Sequence, residues 1–224
     1  MKPFEVHTNL MKRLKGLGLK LNRIVDLGCH QGKWTEKVKQ EYPDAKYFLI
    51  DSSDTHKEKL HSLGQFIHAY VGQHREHRKY YTTGNDADET GNSLYKENSN
   101  VPFETKDVYT ERLKDVLPET NYDYIKMDVQ GAELEIIEGS LDLFTNTKWV
   151  QLECPVFHNN KDAPRFEHYI NYMSNCGFRV FDIDSIFYNY RLMYVDFLFV
   201  NKKLPQQLPT EGDKLIYKHH DTSA

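Results

Sequence analysis

Short apolar runs rich in β-branched and aromatic residues alternate with longer amphipathic ones along most of this chain, and no other feature limits its fold so tightly. RIVDLG (23–28), KYFLID (46–51), FIHAYV (66–71), YDYIKMDV (122–129) and KWVQLEC (148–154) read as strands. GKWTEKVKQEY (32–42), DTHKEKLHSL (54–63), RLKDVL (112–117), AELEIIEGSLDLF (132–144) and PRFEHYINYMSNCG (164–177) read as helices, with Gly177 as the C′ residue of the last. Strands that alternate with helices form a parallel sheet covered on both faces. A helix over about 7–18 precedes the pattern. Two final strands, FRVFDI (178–183) and LMYVDFLFVN (192–201), lie too close together for a crossover helix and must pair antiparallel.

From 72 to 108 the alternation lapses into a polar stretch containing KYYTTG and VPFETKDV, which read as a hairpin or edge strands of an insertion facing a ligand. The tail from 204 to 224 is polar with two prolines and reads as a surface segment beyond a single domain of residues 1–203.

Composition excludes several classes of function. Lys plus Arg number 29 against 33 for Asp plus Glu, so there is no general attraction to nucleic acid or an anionic membrane. The one basic cluster, HREHRK (74–79), is interrupted by Glu76 and reads as surface. Three scattered cysteines form neither a disulfide framework nor a metal knuckle and point to a reducing compartment. With no apolar stretch of signal or membrane-span length, the chain reads as cytoplasmic. Its oligomeric state is not legible.

The stretch IVDLGCHQGKW (24–34) ends a strand on an acid, turns through Gly28 and Gly32, and opens a helix. Glycine accepts positive φ and lets a ligand approach, while the first helical turn leaves N–H donors unpaired. A dinucleotide turn would carry a middle glycine where His30 stands, and Asp26 would repel a pyrophosphate. An acid there suits a cationic amino group; S-adenosylmethionine has one, with a carboxylate, a sulfonium and a ribose. Asp51 follows Gly32 at the ~20-residue offset from which an acid reaches ribose hydroxyls.

The segment YDYIKMDVQGAELEIIEG (122–139) resembles the FkbM-type S-adenosylmethionine-dependent methyltransferases, whose fourth strand and next helix read much like DLLKIDVQGAELEVLKG. DLGCHQG, GNSLY (91–95), QLE (151–153) and VDFLFVNKK add to the likeness, which spans roughly 22–203. It implies a Rossmann-like class I methyltransferase fold: seven strands in the order 3-2-1-4-5-7-6, only strand seven antiparallel, with a β-rich insertion after strand three. It also implies O-methylation of a sugar, glycan or small metabolite. Cys29 and His30 replace the family's usual Ala-Asn, and VYTERL (108–113) departs from its helix start.

Methyl transfer to an alcohol needs positioning and the removal of one proton. Asp128, at the tip of strand four, is the expected base, with Glu153 and His158 as further catalytic candidates. The expected cofactor-binding set is Asp26, Gly28, His30, Gly32, Asp51, Ser52, Tyr70, Val71, Asp128 and Gln130. Glu133 and Glu135 read as acids favoured by a helix N-terminus, Trp34 as packing, and Asn92, Ser93 and Tyr95 as turn residues near the cofactor or acceptor. The insertion and the 155–165 loop are expected to shape the acceptor site. No metal is expected. A noncatalytic binding module is the alternative; an NAD-dependent dehydrogenase is disfavoured by the missing glycine.

Overall fold

A computed structural model describes residues 4–7, 9–82, 91–100 and 102–204. Most of the polar tail therefore lies outside the described residues. The chain runs β1 (Phe4–His7), α1 (Leu10–Gly16), β2 (Arg23–Leu27), α2 (Lys33–Glu41), β3 (Lys46–Asp51), α3 (Lys57–Leu63) and β4 (Gln65–His68). Three strands of the insertion follow: β5 (Tyr70–Val71), β6 (Glu76–Thr82) and β7 (Glu104–Glu111). The remainder is α4 (Leu113–Val116), β8 (Tyr124–Met127), α5 (Glu133–Gly139), α6 (Leu141–Thr145), β9 (Trp149–Pro155), α7 (Phe166–Asn175), β10 (Phe178–Asn189) and β11 (Arg191–Asn201).

The main sheet has the order β4-β3-β2-β8-β9-β11-β10-β1. Without β1 this is the expected 3-2-1-4-5-7-6. The pairs from β4 to β9 are parallel, and β11 runs antiparallel to both its neighbours. One strand was not anticipated: β1 pairs antiparallel with β10, so the sheet has eight strands. Four residues are too few for a periodic signal, and the expected helix at 7–18 starts later, after Asn9 in left-handed geometry (φ 54°).

Three other boundaries move. Expected strand three divides, because β4 stops at His68 while Tyr70 and Val71 pair with Thr110 and Glu111 in a separate sheet, β5-β7-β6. The helix expected over 132–144 breaks at Ser140, whose hydroxyl accepts the Lys114 N–H at 3.1 Å. The last two strands are longer than expected and meet at Tyr190 (φ 61°). The insertion is built from antiparallel β6 and β7, as the sequence implied. The two arginines of its basic cluster are paired: Arg75 with Glu111 and Asp115, and Arg78 with Glu135.

Side chains alternate across the central strands. Val25, Leu27, Ile125, Met127, Val150 and Leu152 enter one apolar layer, beneath the insertion, α5 and α7. Ile24, Tyr124, Trp149, Leu198 and Val200 enter the other, with α1, α2 and α3. The same two-residue period puts Asp26, Lys126, Gln151, Glu153 and Asp196 on this second face, toward the carboxyl ends of the strands. Apolar strands thus carry a polar stripe. Among the described residues, no helix is long and apolar enough to cross a membrane.

Candidate active site

A cavity of about 340 Å³ opens at the carboxyl edge of β2, β3 and β8, within the range of small-molecule sites. Gly28, His30, Asp51, Ser52, Tyr70, Val71, Asp128, Gln130 and Glu153 all line it, so most of the expected set converges. Asp26, Gly32 and His158 are not among its lining residues. His158 is exposed on its loop, where its carbonyl accepts the Asn98 amide at 3.0 Å.

The two glycines serve the protein's own packing. A Cβ on Gly28 would lie 1.9 Å from the Asp128 carbonyl oxygen, and one on Gly32 would lie 2.5 Å from the Leu63 side chain. Both residues have positive φ. His30 also has positive φ (45°), a region that tolerates His and Asn better than most side chains, which accounts for the exchange at this position. Cys29 is buried, and burial followed by the charge of Asp26 raises its thiol far above the ordinary range.

Asp51 accepts the His30 N–H at 2.7 Å on one oxygen and the Ser53 N–H at 2.9 Å on the other. Each oxygen keeps a lone pair for a ligand hydroxyl. Burial raises Asp51 above its ordinary value, with those two N–H groups opposing. Beside it the Ser52 and Tyr80 hydroxyls are 2.6 Å apart, and Tyr70 meets Tyr80 edge to face at 4.9 Å. This end of the cavity is aromatic.

Lys126 organises the other end. Its ammonium lies 3.5 Å from Asp26 Oδ1 and 3.3 Å from Asp128 Oδ2, and 5.9 Å from the centre of the Trp34 ring. Burial alone would lower its pKa, but Asp128 and then Asp26 outweigh that and hold the ammonium above its usual range. Asp26 is 1% exposed and takes the Thr35 hydroxyl on Oδ2 at 2.7 Å. It therefore faces Lys126 and α2 and lies behind the cavity wall.

Gln130 joins the carboxylates. Its amide donates to Asp128 Oδ1 at 2.9 Å and to Glu153 Oε2 at 3.0 Å, from a backbone at φ 56°. Burial, then Asp128 and Asp196, push Glu153 well above the ordinary carboxylate range. Asp196 pairs with Glu153 across the β9–β11 ladder and accepts the Ser185 hydroxyl at 2.8 Å; burial and then Asp128 push it up to about 7.

Glu133 is more than a helix-end charge. It accepts N–H groups from Val129 and Gly131 and the hydroxyl of Tyr169, and it is 1% exposed. Ser93 donates to the Gln130 carbonyl at 2.8 Å and so clasps the insertion to the same turn. Sequence reasoning passed over Lys126 and Asp196. Each is a charge inside an otherwise apolar strand, and that mismatch was the available signal.

Among the described residues, no group of three or more His, Cys, Asp or Glu is arranged to hold a metal ion.

Comparison with known proteins agrees with this fold. The methyltransferase FkbM domain family matches residues 13–180. A solved methyltransferase FkbM from Methylobacillus flagellatus KT aligns at 13% identity and a TM-score of 0.49, over 79% of this chain and 43% of its own, so the chain spans less than half of that relative's length. The magnesium protoporphyrin IX methyltransferase of Synechocystis PCC 6803, solved with S-adenosylmethionine, aligns at 10% identity and a TM-score of 0.51, over 86% and 76%. The same enzyme with S-adenosylhomocysteine gives 12% identity and 0.51, over 86% and 80%. No curated protein sequence matches significantly. The fold is that of the S-adenosylmethionine-dependent methyltransferases, and the match over residues 13–180 places this chain in the FkbM methyltransferase family.

Proposed function

We propose that this chain transfers a methyl group from S-adenosylmethionine to a hydroxyl oxygen of a sugar, glycan or small metabolite. The observation that carries this reading is the position of Asp128, fixed at the tip of β8 by Lys126 on one oxygen and Gln130 on the other, on the wall of the cavity. The cavity suits the cofactor's parts. Asp51 would hold the ribose, Tyr70 and Val71 the adenine, and Lys126 the carboxylate of the methionine portion. The bound cofactor supplies an activated methyl on a sulfonium leaving group.

The chain's own work is orientation and proton removal. Asp128 accepts the proton of the acceptor hydroxyl at whichever oxygen faces it. Lys126 and Gln130 hold that carboxylate in one orientation, and Gln130 shares its amide with Glu153. Glu153, raised by burial and then by the charge of Asp128, lies beside the base as a further hydrogen-bonding group. His158 has no part in this arrangement.

The test combines calorimetry with tritiated methyl transfer. Binding of S-adenosylmethionine without binding of NAD, and label passing to hydroxylated acceptors, are the expected results. Cofactor binding with no transfer to free sugars, nucleotide sugars or a cell glycan extract would favour a noncatalytic module. Asp128→Asn is expected to lower kcat by about 10²–10⁴-fold while largely sparing cofactor affinity.

A further inference from the structure

A second cavity, of about 370 Å³, lies on the far side of Lys126. It shares Trp34, Lys126 and Asp128 with the first, so these three side chains form a common wall. Its opposite side comes from the β10–β11 hairpin. There the register shifts between Ile183 and Ile186, an irregularity of the kind that re-aims side chains, and Asp184, Ser185 and Asp196 line the space. By contrast, the cavity between Gln130, Asn160 and Tyr194, beside the 155–165 loop, measures about 10 Å³, room for one water at most.

Resting on the methyl-transfer reading, we propose that the acceptor occupies this second cavity, and that Asp184 and Asp196 select a hydroxyl-bearing portion free of phosphate and carboxylate groups. Both carboxylates have partners and spare capacity. Asp184 Oδ2 accepts the Gln151 amide at 2.9 Å and Asp196 Oδ2 accepts the Ser185 hydroxyl, which leaves lone pairs open to the donors of a neutral polyol. An anionic group would meet Asp128 and Asp184 and, above the value of about 7 that Asp196 reaches, Asp196 as well. Of the lysines that line this cavity, Lys126 is held by Asp26 and Asp128 and, in the reading above, by the cofactor carboxylate, while Lys12 and Lys37 are exposed. Rejection of anions thus follows from like charge at close quarters.

The experiment uses the full chain, tritiated S-adenosylmethionine and a cell glycan and metabolite extract divided by ion exchange into neutral, anionic and cationic fractions. Label is expected in the neutral fraction. Lys37→Trp, a change at an exposed helix position that fills the cavity mouth, is expected to cut transfer at least tenfold while calorimetric cofactor affinity stays within twofold. Asp184→Asn and Asp196→Asn are expected to lower transfer about tenfold at limiting extract, to recover at saturating extract, and to admit label into the anionic fraction. Label from the parent chain mainly in the anionic or cationic fraction overturns the proposal. So does parental transfer by both Lys37→Trp and Asp196→Asn; in that case methyl transfer itself stands and only the acceptor site is misplaced. If the parent labels no fraction while binding the cofactor, the methyl-transfer reading fails and this one falls with it.

Discussion

At Gly28 an added Cβ would press on backbone, the Asp128 carbonyl at 1.9 Å, from a φ of +77°. At Gly16, the last residue of α1, it would meet nothing within 4 Å. The same substitution should therefore have opposite signs at the two sites. Gly28→Ala combines left-handed strain with overpacking against an atom that cannot move without shifting β8, and is expected to destabilise by roughly 2–4 kcal/mol. Gly16→Ala removes freedom from the unfolded chain only, and is expected to be neutral or stabilising by up to about 1 kcal/mol. Urea melts of the two variants check the pair; equal effects would mean that the contact between β2 and β8 yields. The sequence motif marked Gly28 correctly as a place of close approach. What approaches is the protein's own β8, a contact between residues 100 apart that no local pattern contains.

The elements themselves were largely legible. Long central strands such as β2, β3 and β9 announce themselves because burial on both faces demands unbroken apolar runs. Breaks were not legible, since they depend on tertiary partners: Ser140 ends α5 where its hydroxyl meets the Lys114 N–H, and β4 stops where the insertion captures Tyr70. Of the residues that line the cavity, Asp51, Asp128, Gln130 and Glu153 were legible because each ends or follows a strand. Lys126 and Asp196 lie inside strands, where only pairing across the sheet reveals what they face. Glu133 depends on the same kind of contact, between α5 and α7. Its buried carboxyl is held by the Tyr169 hydroxyl and two N–H groups of the β8–α5 turn. Tyr169→Phe removes one donor from a buried group while leaving the packing intact, and is expected to cost about 1–3 kcal/mol. Thermal or urea unfolding measures it; a loss near zero would show that the two N–H groups suffice.

For the molecule as a whole, the buried carboxyl groups set the direction in which stability changes with pH. Asp51, Glu133, Glu153 and Asp196 are all raised, burial being the largest cause in each, and Asp196 reaches about 7. A raised carboxyl keeps its proton in the folded chain after the unfolded chain, with a value near 3.9 for Asp and about 4.3 for Glu, has released it. Between these values the unfolded state holds fewer protons, so stability falls as pH rises, and the contribution is lost by the folded pKa. Asp123 acts oppositely: the Lys148 ammonium and two N–H groups outweigh burial and lower it, so its contribution is present above about 4 and disappears only in stronger acid. The two windows do not overlap. Stability should therefore peak near pH 4–5 and decline toward pH 8. Asp196→Asn tests the assignment, because an amide oxygen still accepts the Ser185 hydroxyl but has no proton to release. Relative to the parent, the variant is expected to gain on the order of 2–3 kcal/mol between pH 5 and pH 8, read from urea midpoints at fixed salt. Parallel pH curves for the two chains would mean that Asp196 is already ionised at pH 5, and that the polar stripe holds its charge without the burial ascribed to it.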